Sequence, residues 1–254
     1  MSAVELMSGK EPKKELMKVF EETQMRMIQV AEESDMPLPA KANSKASSYL
    51  NIYKYWNDFI IKGKLPSYRW VVENIFNTGD VGAGIFSACK ELCIFQFFSR
   101  EFIDFLTETI KNIQANKIVE IGAGDGLLSH FLREKGIDIH PTDDHSRDDI
   151  EHPERVEKLS HKEALKKYNP DLVIINWEEY TFDYAVDVLK YPSVKYVIWI
   201  GEYNGGCTGS EKLWNYKNKD TDNPYCLART DSMMFGNSVH KHTGVWIFYP
   251  KKTT

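Results

Sequence analysis

Cysteine is scarce in this 254-residue chain, which has four thiols: Cys89, Cys93, Cys207 and Cys226. They are too few and too scattered to form a disulfide framework at this size. Cys89 and Cys93 sit four apart on one face of a predicted helix. Zinc would need two further ligands, and no other His or Cys lies nearby, so buried core thiols are the expected reading. Long apolar runs are also missing. None is long enough to span a membrane, and residues 1–18 lack the central apolar block of a signal peptide, so the expected address is the cytoplasm. A basic surplus is missing too, since 32 Lys and Arg face 37 Asp and Glu, a net charge of -5. Phosphate contacts supply most of the affinity of nucleic-acid binders. The acidic balance therefore argues against nucleic acid and for a small molecule, a peptide or a protein as partner. There is no internal repeat and no low-complexity tract. Residues 77–84 are rich in glycine, but they have no phosphate-loop lysine and no preceding apolar strand, so they read as a turn.

What is present is order. Residues 1–34 read as helical, and two prolines among small polar residues make 36–44 a linker. A second helix is predicted over 47–61, with Tyr49, Ile52, Tyr53 and Trp56 on one stripe. Such a stripe is ordinarily core packing, although Tyr49, Tyr53 and Trp56 are also placed to cap a site. Residues 85–98 look like a buried helix, and Ser99 is a good N-cap for the next, with Glu101 and Asp104 near its positive end. After Asn116 the rhythm changes to strands alternating with helices. Strands are predicted over 117–121, 136–140, 171–176 and 194–201, with helices over 127–135, 162–168 and 182–189. Two further strand candidates, 225–230 and 244–249, follow. Alternation of this kind implies a doubly wound, mostly parallel sheet.

The most specific signal is Val119-Glu120-Ile121-Gly122-Ala123-Gly124-Asp125-Gly126-Leu127, which leaves a strand and opens a helix. Glycines there let the backbone turn sharply and approach a ligand with no Cβ in the way. A dinucleotide site would place its third glycine at 127, to pack helix on strand. That residue is Leu127, and the third glycine is Gly126.

In this spacing the chain resembles the class I S-adenosylmethionine-dependent methyltransferases, over roughly residues 99–250. The resemblance implies a Rossmann-like, seven-stranded sheet closed by a C-terminal antiparallel strand pair, and S-adenosylmethionine as cofactor. It assigns Glu120, Gly122, Ala123, Gly124 and Gly126 to the loop beside the cofactor's methionine part. The acidic residue at the strand end orders the loop and reaches the amino group. About twenty residues on, Pro141-Thr142-Asp143-Asp144 closes the second strand, where a carboxylate can accept from both ribose hydroxyls. Asp143 is preferred over Asp144 because it stands directly at the strand end. A solvated acidic loop is the alternative. For adenine the family often uses an acid after the third strand. Here 156–161 offers no well-placed acid, leaving Ser160 or His161.

Ligands of open α/β sheets bind outside the carboxyl ends of the strands. The fourth strand ends in Asn176-Trp177-Glu178-Glu179-Tyr180 and the fifth in a glycine-rich turn carrying Glu202 and Tyr203. In the family Asn176 stands where the methyl-transfer site is lined. It lacks the Pro-Pro that follows in enzymes acting on DNA bases or glutamine. Glu178 and Glu202 are candidates to orient the acceptor or take its proton. Trp177, Tyr180 and Tyr203 would form aromatic walls. His240 and His242 have no third ligand in sequence and read as a solvated loop rather than a metal site.

The expected organisation is an N-terminal helical extension or lid over 1–98 and a cofactor-binding methyltransferase domain over 99–254. The expected function is N- or O-methylation of a small molecule or a peptide or protein. Two alternatives stand beside it: a catalytically silent S-adenosylmethionine-binding scaffold, and an NAD-linked oxidoreductase, which Leu127 disfavours.

Overall fold

A computed structural model describes residues 51–76, 83–150, 153–204, 206–231 and 242–251. The expected helix over 1–34, the linker over 36–44, the start of the helix at 47–50, most of the 77–84 turn, and His240 lie outside these residues.

Seven strands form one sheet. In chain order they are β2 (Ile118–Ile121), β3 (Ile139–Asp143), β4 (Glu157–Lys158), β5 (Leu172–Asn176), β6 (Tyr196–Glu202), β7 (Asn218–Asp220) and β9 (Thr243–Phe248). Their spatial order is β4-β3-β2-β5-β6-β9-β7. Strands β2 to β6 pair in parallel, whereas β9 is antiparallel to both β6 and β7. The sheet is thus Rossmann-like, mostly parallel and closed by a C-terminal antiparallel pair, as the sequence leads one to expect. The chain runs outward from β2 through β3 to β4, then returns to place β5 on the other side of β2. The topological switch point lies between β2 and β5, where open α/β sheets bind ligands.

Strand side chains alternate between faces, and the alternation divides the core. Ile118, Leu172, Ile174, Ile198 and Ile200 pack on one face with Phe102 and Leu106 of α3 (Arg100–Ile113) and with Leu128 and Phe131 of α4 (Leu127–Glu134). Val119, Val173, Ile175, Val197 and Trp199 pack on the other with α5 (His161–Tyr168) and α6 (Tyr184–Leu189). Ser99 caps α3 as expected, its hydroxyl accepting from Phe102 N at 3.2 Å. Glu101 accepts from Tyr68 N at 2.7 Å, tying α3 to the short helix α1 (Tyr68–Val71). Ile52, Trp56, Ile75 and Phe97 belong to the same apolar cluster as Ile198 and Val245. The core is therefore continuous across the expected boundary at 98/99. No helix among the described residues is long and apolar enough to cross a membrane.

Two elements differ from expectation. The helix predicted over 85–98 is α2 (Ala83–Glu91), after which Cys93 takes a left-handed φ of 52°. The following apolar run forms β1 (Gln96–Phe97), which pairs antiparallel with β8 (Leu227–Ala228) in a separate two-stranded sheet. A short apolar run does not declare its period, and here a distant partner decides it. The same pairing removes 225–230 from the main sheet. The strand beside β9 is instead Asn218–Asp220, an exposed polar edge with no alternation to betray it.

Beyond β8, buried Asp231 gathers four donors. Ala228 N and Thr243 Oγ1 reach one carboxylate oxygen at 2.8 and 2.6 Å, and His242 N and Thr243 N reach the other at 2.8 and 3.3 Å.

Candidate functional site

The glycine loop leaves β2 with Gly122, Gly124 and Gly126 at φ 71°, 56° and 72°. This is the left-handed region, which residues bearing a Cβ seldom adopt. A Cβ on Gly122 would stand 2.8 Å from the Tyr184 hydroxyl, and one on Gly126 would stand 2.6 Å from Val156 Cγ2. Neighbouring β3 holds the loop in place. Ala123 N donates to Thr142 O at 3.0 Å, and Thr142 Oγ1 donates back to Glu120 O at 2.9 Å. Asp143 bridges two amides, accepting from Gly124 N at 2.9 Å and from His145 N at 2.8 Å. The side chain read as a ribose acceptor also fastens the loop.

A cavity of about 710 Å³ opens over the carboxyl ends of β2 and β5. Gly122, Ala123, Gly124, Asp143, Asp144, Ser160 and Asn176 all line it. Sequence reasoning thus named residues from four separate segments that the fold brings to one wall. Asp144 accepts from Ser146 N at 2.9 Å. Ser160 is the N-cap of α5 in a capping box with Glu163. Its hydroxyl donates to Glu163 Oε2 at 2.7 Å, so its principal work is helix initiation. Next to it His161 stacks on Tyr184, ring centroids 5.9 Å apart. Burial lowers the His161 pKa, which favours a neutral imidazole. Asn176 ends β5, and its Oδ1 is buried without a hydrogen-bond partner.

Other expected site residues lie elsewhere. Glu120 is 1% exposed and turns into the helix layer, where its Oε2 accepts from Ser129 N at 3.2 Å and from the Ser129 hydroxyl. It orders the strand–helix junction but does not line the cavity. Burial pushes its carboxyl up to about 8. Gly126 is not a cavity residue either; it is the N-cap of α4, packed beneath Val156.

Glu178 and Glu202, the candidates for acceptor chemistry, are buried away from the cavity. Trp177 has φ 65°, and this left-handed turn presents its indole to the cavity while Glu178 passes beneath. Glu178 Oε1 accepts from Ala185 N at 2.8 Å, and burial pushes this carboxyl up to about 8. Glu202 accepts from Cys207 N and holds its own glycine-rich turn, in which a Cβ on Gly206 would collide with the carboxylate. Tyr203, 60% exposed, leans on Trp214 at 5.2 Å, and Tyr180 is 63% exposed; neither lines the cavity. The acceptor role read for Glu178, Glu202 and Tyr203 does not fit this geometry: Glu178 holds the first turn of α6, Glu202 its own turn, and Tyr203 packs on Trp214 and Trp246.

Of the aromatic residues in the cavity wall, the sequence pointed to Trp177 and Trp56; what it missed is Tyr55, Phe95 and Phe98. A π-helical turn, Tyr55–Ile60, brings Tyr55, Trp56 and Ile60 to the cavity. π-Helical turns recur at functional sites because they re-aim side chains within a helix. The Tyr55 hydroxyl anchors this turn. It accepts from Phe98 N at 2.7 Å and donates to Phe98 O at 3.3 Å. The segment at β1 adds Phe95, Gln96 and Phe98. Gln96 Nε2 donates to Leu227 O at 2.6 Å, and its Oε1 accepts from Trp177 Nε1 at 3.3 Å. Phe95 lies under two guanidinium groups, Arg229 at 4.0 Å and Arg147 at 5.1 Å. Arg147 is held by both carboxylate oxygens of Asp149, at 2.9 and 2.6 Å, and by Glu179 at 2.7 Å. The local signal for this wall was Phe95 to Phe98, but read as a helix the run points its rings elsewhere.

No protein-family model matches the chain. No curated protein matches it. Among solved structures it is similar to the methyltransferase domain of bacterial CtHen1, at 12% identity and a TM-score of 0.36, over 59% of this chain and 98% of that one.

Proposed function

We propose that the protein is an S-adenosylmethionine-dependent methyltransferase acting on a small molecule or a peptide or protein. The observation that carries this reading is the junction of Gly122–Gly124 with Asp143 at the switch point. A backbone cradle without side chains lies beside a carboxylate in the wall of one cavity. The cradle fits the cofactor because Gly122 leaves the loop backbone bare where a Cβ would run into the Tyr184 hydroxyl of the cavity wall. Gly122 to Gly124 would lie along the methionine part. Asp143 and Asp144 would accept from the ribose hydroxyls, and Ser160 and His161 would flank the adenine. When bound, the cofactor supplies an activated methyl group. The chain's own contribution is to position the acceptor against it in a cavity lined largely by apolar and aromatic side chains, where orientation lowers the barrier.

NAD fits less well. Leu127 stands where a dinucleotide fold packs a glycine, and its side chain is buried in the core. Calorimetry distinguishes the two readings. Adenosylhomocysteine is expected to bind with release of heat and NAD is not; NAD binding with no adenosylhomocysteine signal would overturn the proposal. Cofactor binding without turnover over a broad acceptor panel would instead identify a silent scaffold.

A further inference from the structure

The cavity wall holds one hydroxyl to which the sequence did not point. Tyr184 is the first residue of α6 and lines the cavity. Its ring is held in place, stacked on His161 with centroids 5.9 Å apart and tilted against Phe182 at 6.5 Å. Its hydroxyl reaches the glycine loop, where it would stand 2.8 Å from a Cβ at position 122. Only the bare backbone of Gly122 leaves room for it there. The hydroxyl makes no hydrogen bond among the described residues, yet it is not shut off from solvent, unlike the buried Oδ1 of Asn176. It is a polar tip on a half-buried ring, aimed at the loop and available to a ligand.

The charges around it decide which ligand group it meets. Asp125, Asp143, Asp144, Glu179, Asp183 and Asp187 line the cavity, and Arg147 is the one Lys or Arg among the described lining residues. Arg147 is itself tied to Asp149 and Glu179. Such a field attracts a cation and opposes a carboxylate. Burial, and then the charges of Glu178, Asp143, Asp144 and Glu179, hold the Tyr184 phenol well above its ordinary value. The hydroxyl therefore stays neutral and keeps its lone pairs for a donor. S-adenosylmethionine has two cationic centres. Its sulfonium has no hydrogen to donate, and its ammonium does. Glu120, the strand-end acid expected at that ammonium, does not line the cavity and is satisfied by Ser129.

We infer that Tyr184 Oη accepts a hydrogen bond from the ammonium group of the cofactor's methionine part and fixes that end of the molecule over Gly122. The inference rests on the function proposed above, and it assigns the ammonium to a tyrosine of α6 in place of Glu120.

The test is calorimetry on the full chain with two ligands: adenosylhomocysteine, and its deamino analogue, in which hydrogen replaces the amino group. On the unaltered chain the analogue is expected to bind at least about tenfold more weakly, the value of a hydrogen bond to a charged group. Tyr184→Phe keeps the ring and its stacking on His161. It removes a hydroxyl that has no partner in the protein, so the melting temperature should not fall. This variant should weaken adenosylhomocysteine by about tenfold and leave the analogue within about twofold. Glu120→Gln should leave the ratio of the two affinities unchanged.

A merely structural role for Tyr184 would weaken both ligands alike, and that result overturns the inference. So does an analogue that binds the unaltered chain as tightly as adenosylhomocysteine, a comparison that needs no variant. So does a ratio moved by Glu120→Gln and not by Tyr184→Phe. In each of these cases adenosylhomocysteine still binds, and the methyltransferase reading stands. Absence of binding by either ligand to the unaltered chain removes that reading, and this inference with it.

Discussion

Around the glycine loop the cavity wall is largely backbone, whereas around Phe95 it is side chain. The loop wall comes from Gly122 to Gly124 and two adjacent aspartates, all within 23 residues of chain, Gly122 to Asp144. The aromatic wall draws on residues 55–60, 95–98 and 176–177, which meet only in the folded chain. Backbone sites are written locally because a run of positive φ values favours glycine at fixed spacing. Side-chain sites are written in tertiary contacts, and any large ring from any segment will serve. The difference also predicts how each wall fails under substitution.

The largest contrast should come from Gly122→Ala. The left-handed φ of 71° and a Cβ at 2.8 Å from the Tyr184 hydroxyl both oppose it. The φ cost alone is about 1–2 kcal/mol. Adenosylhomocysteine affinity is expected to fall by about a hundredfold or more. An affinity within about twofold of the unaltered chain in calorimetry would mean that the glycine loop is not part of the cofactor site.

Asp143→Ala comes next. It releases the Gly124 and His145 amides as well as the expected ribose contact. Cofactor binding should weaken by about 1–3 kcal/mol. Asp144→Ala should cost less, since Asp143 holds the Gly124 amide of the loop, whereas the Asp144 contact to Ser146 N lies outside the loop. Dissociation constants for the two variants that come out equal would shift the ribose role away from Asp143.

On the aromatic side the matching lesion is Tyr55→Phe. It removes a buried hydroxyl that brackets both polar groups of Phe98. Global stability should drop by about 1–2 kcal/mol in urea titration. Adenosylhomocysteine affinity should not change.

The effect that separates the two walls least concerns pH. Glu120 and Glu178 lie in the helix layers near the site, each with a carboxyl pushed up to about 8 by burial. Between the usual glutamate value and about 8, the folded chain keeps protons that the unfolded chain has released. Stability is therefore greatest at the acid end and falls as pH rises, by up to about 1.4 kcal/mol per unit for each group. Melting temperatures from pH 5 to pH 8 should decline, and Glu120→Gln and Glu178→Gln should each reduce the slope. A slope unaltered by either glutamine variant would show that neither carboxyl carries the linkage.

How far the sequence could be read follows the same division. The apolar strands around Val119, Val173 and Val197 showed themselves by composition, and Gly122 and Asp143 by spacing. β1 did not, since it is two residues long and acquires its period only from β8; β8 falls within the strand expected over 225–230, but its partner is β1 rather than the main sheet. Glu178 and Glu202 were misread for a similar reason. Strand-end carboxylates look alike in sequence whether they face a cavity or a backbone amide; the φ of Trp177 decides it for Glu178, and the Cys207 amide for Glu202.

Asp231 works as a clasp. Its one buried carboxylate fastens Ala228 of β8 to His242 and to Thr243 at the start of β9, so the small sheet that carries Phe97 is tied to the main one through this side chain. Asp231→Asn keeps the shape and removes the charge, and the drop in urea midpoint would measure what the carboxylate contributes to joining the two sheets.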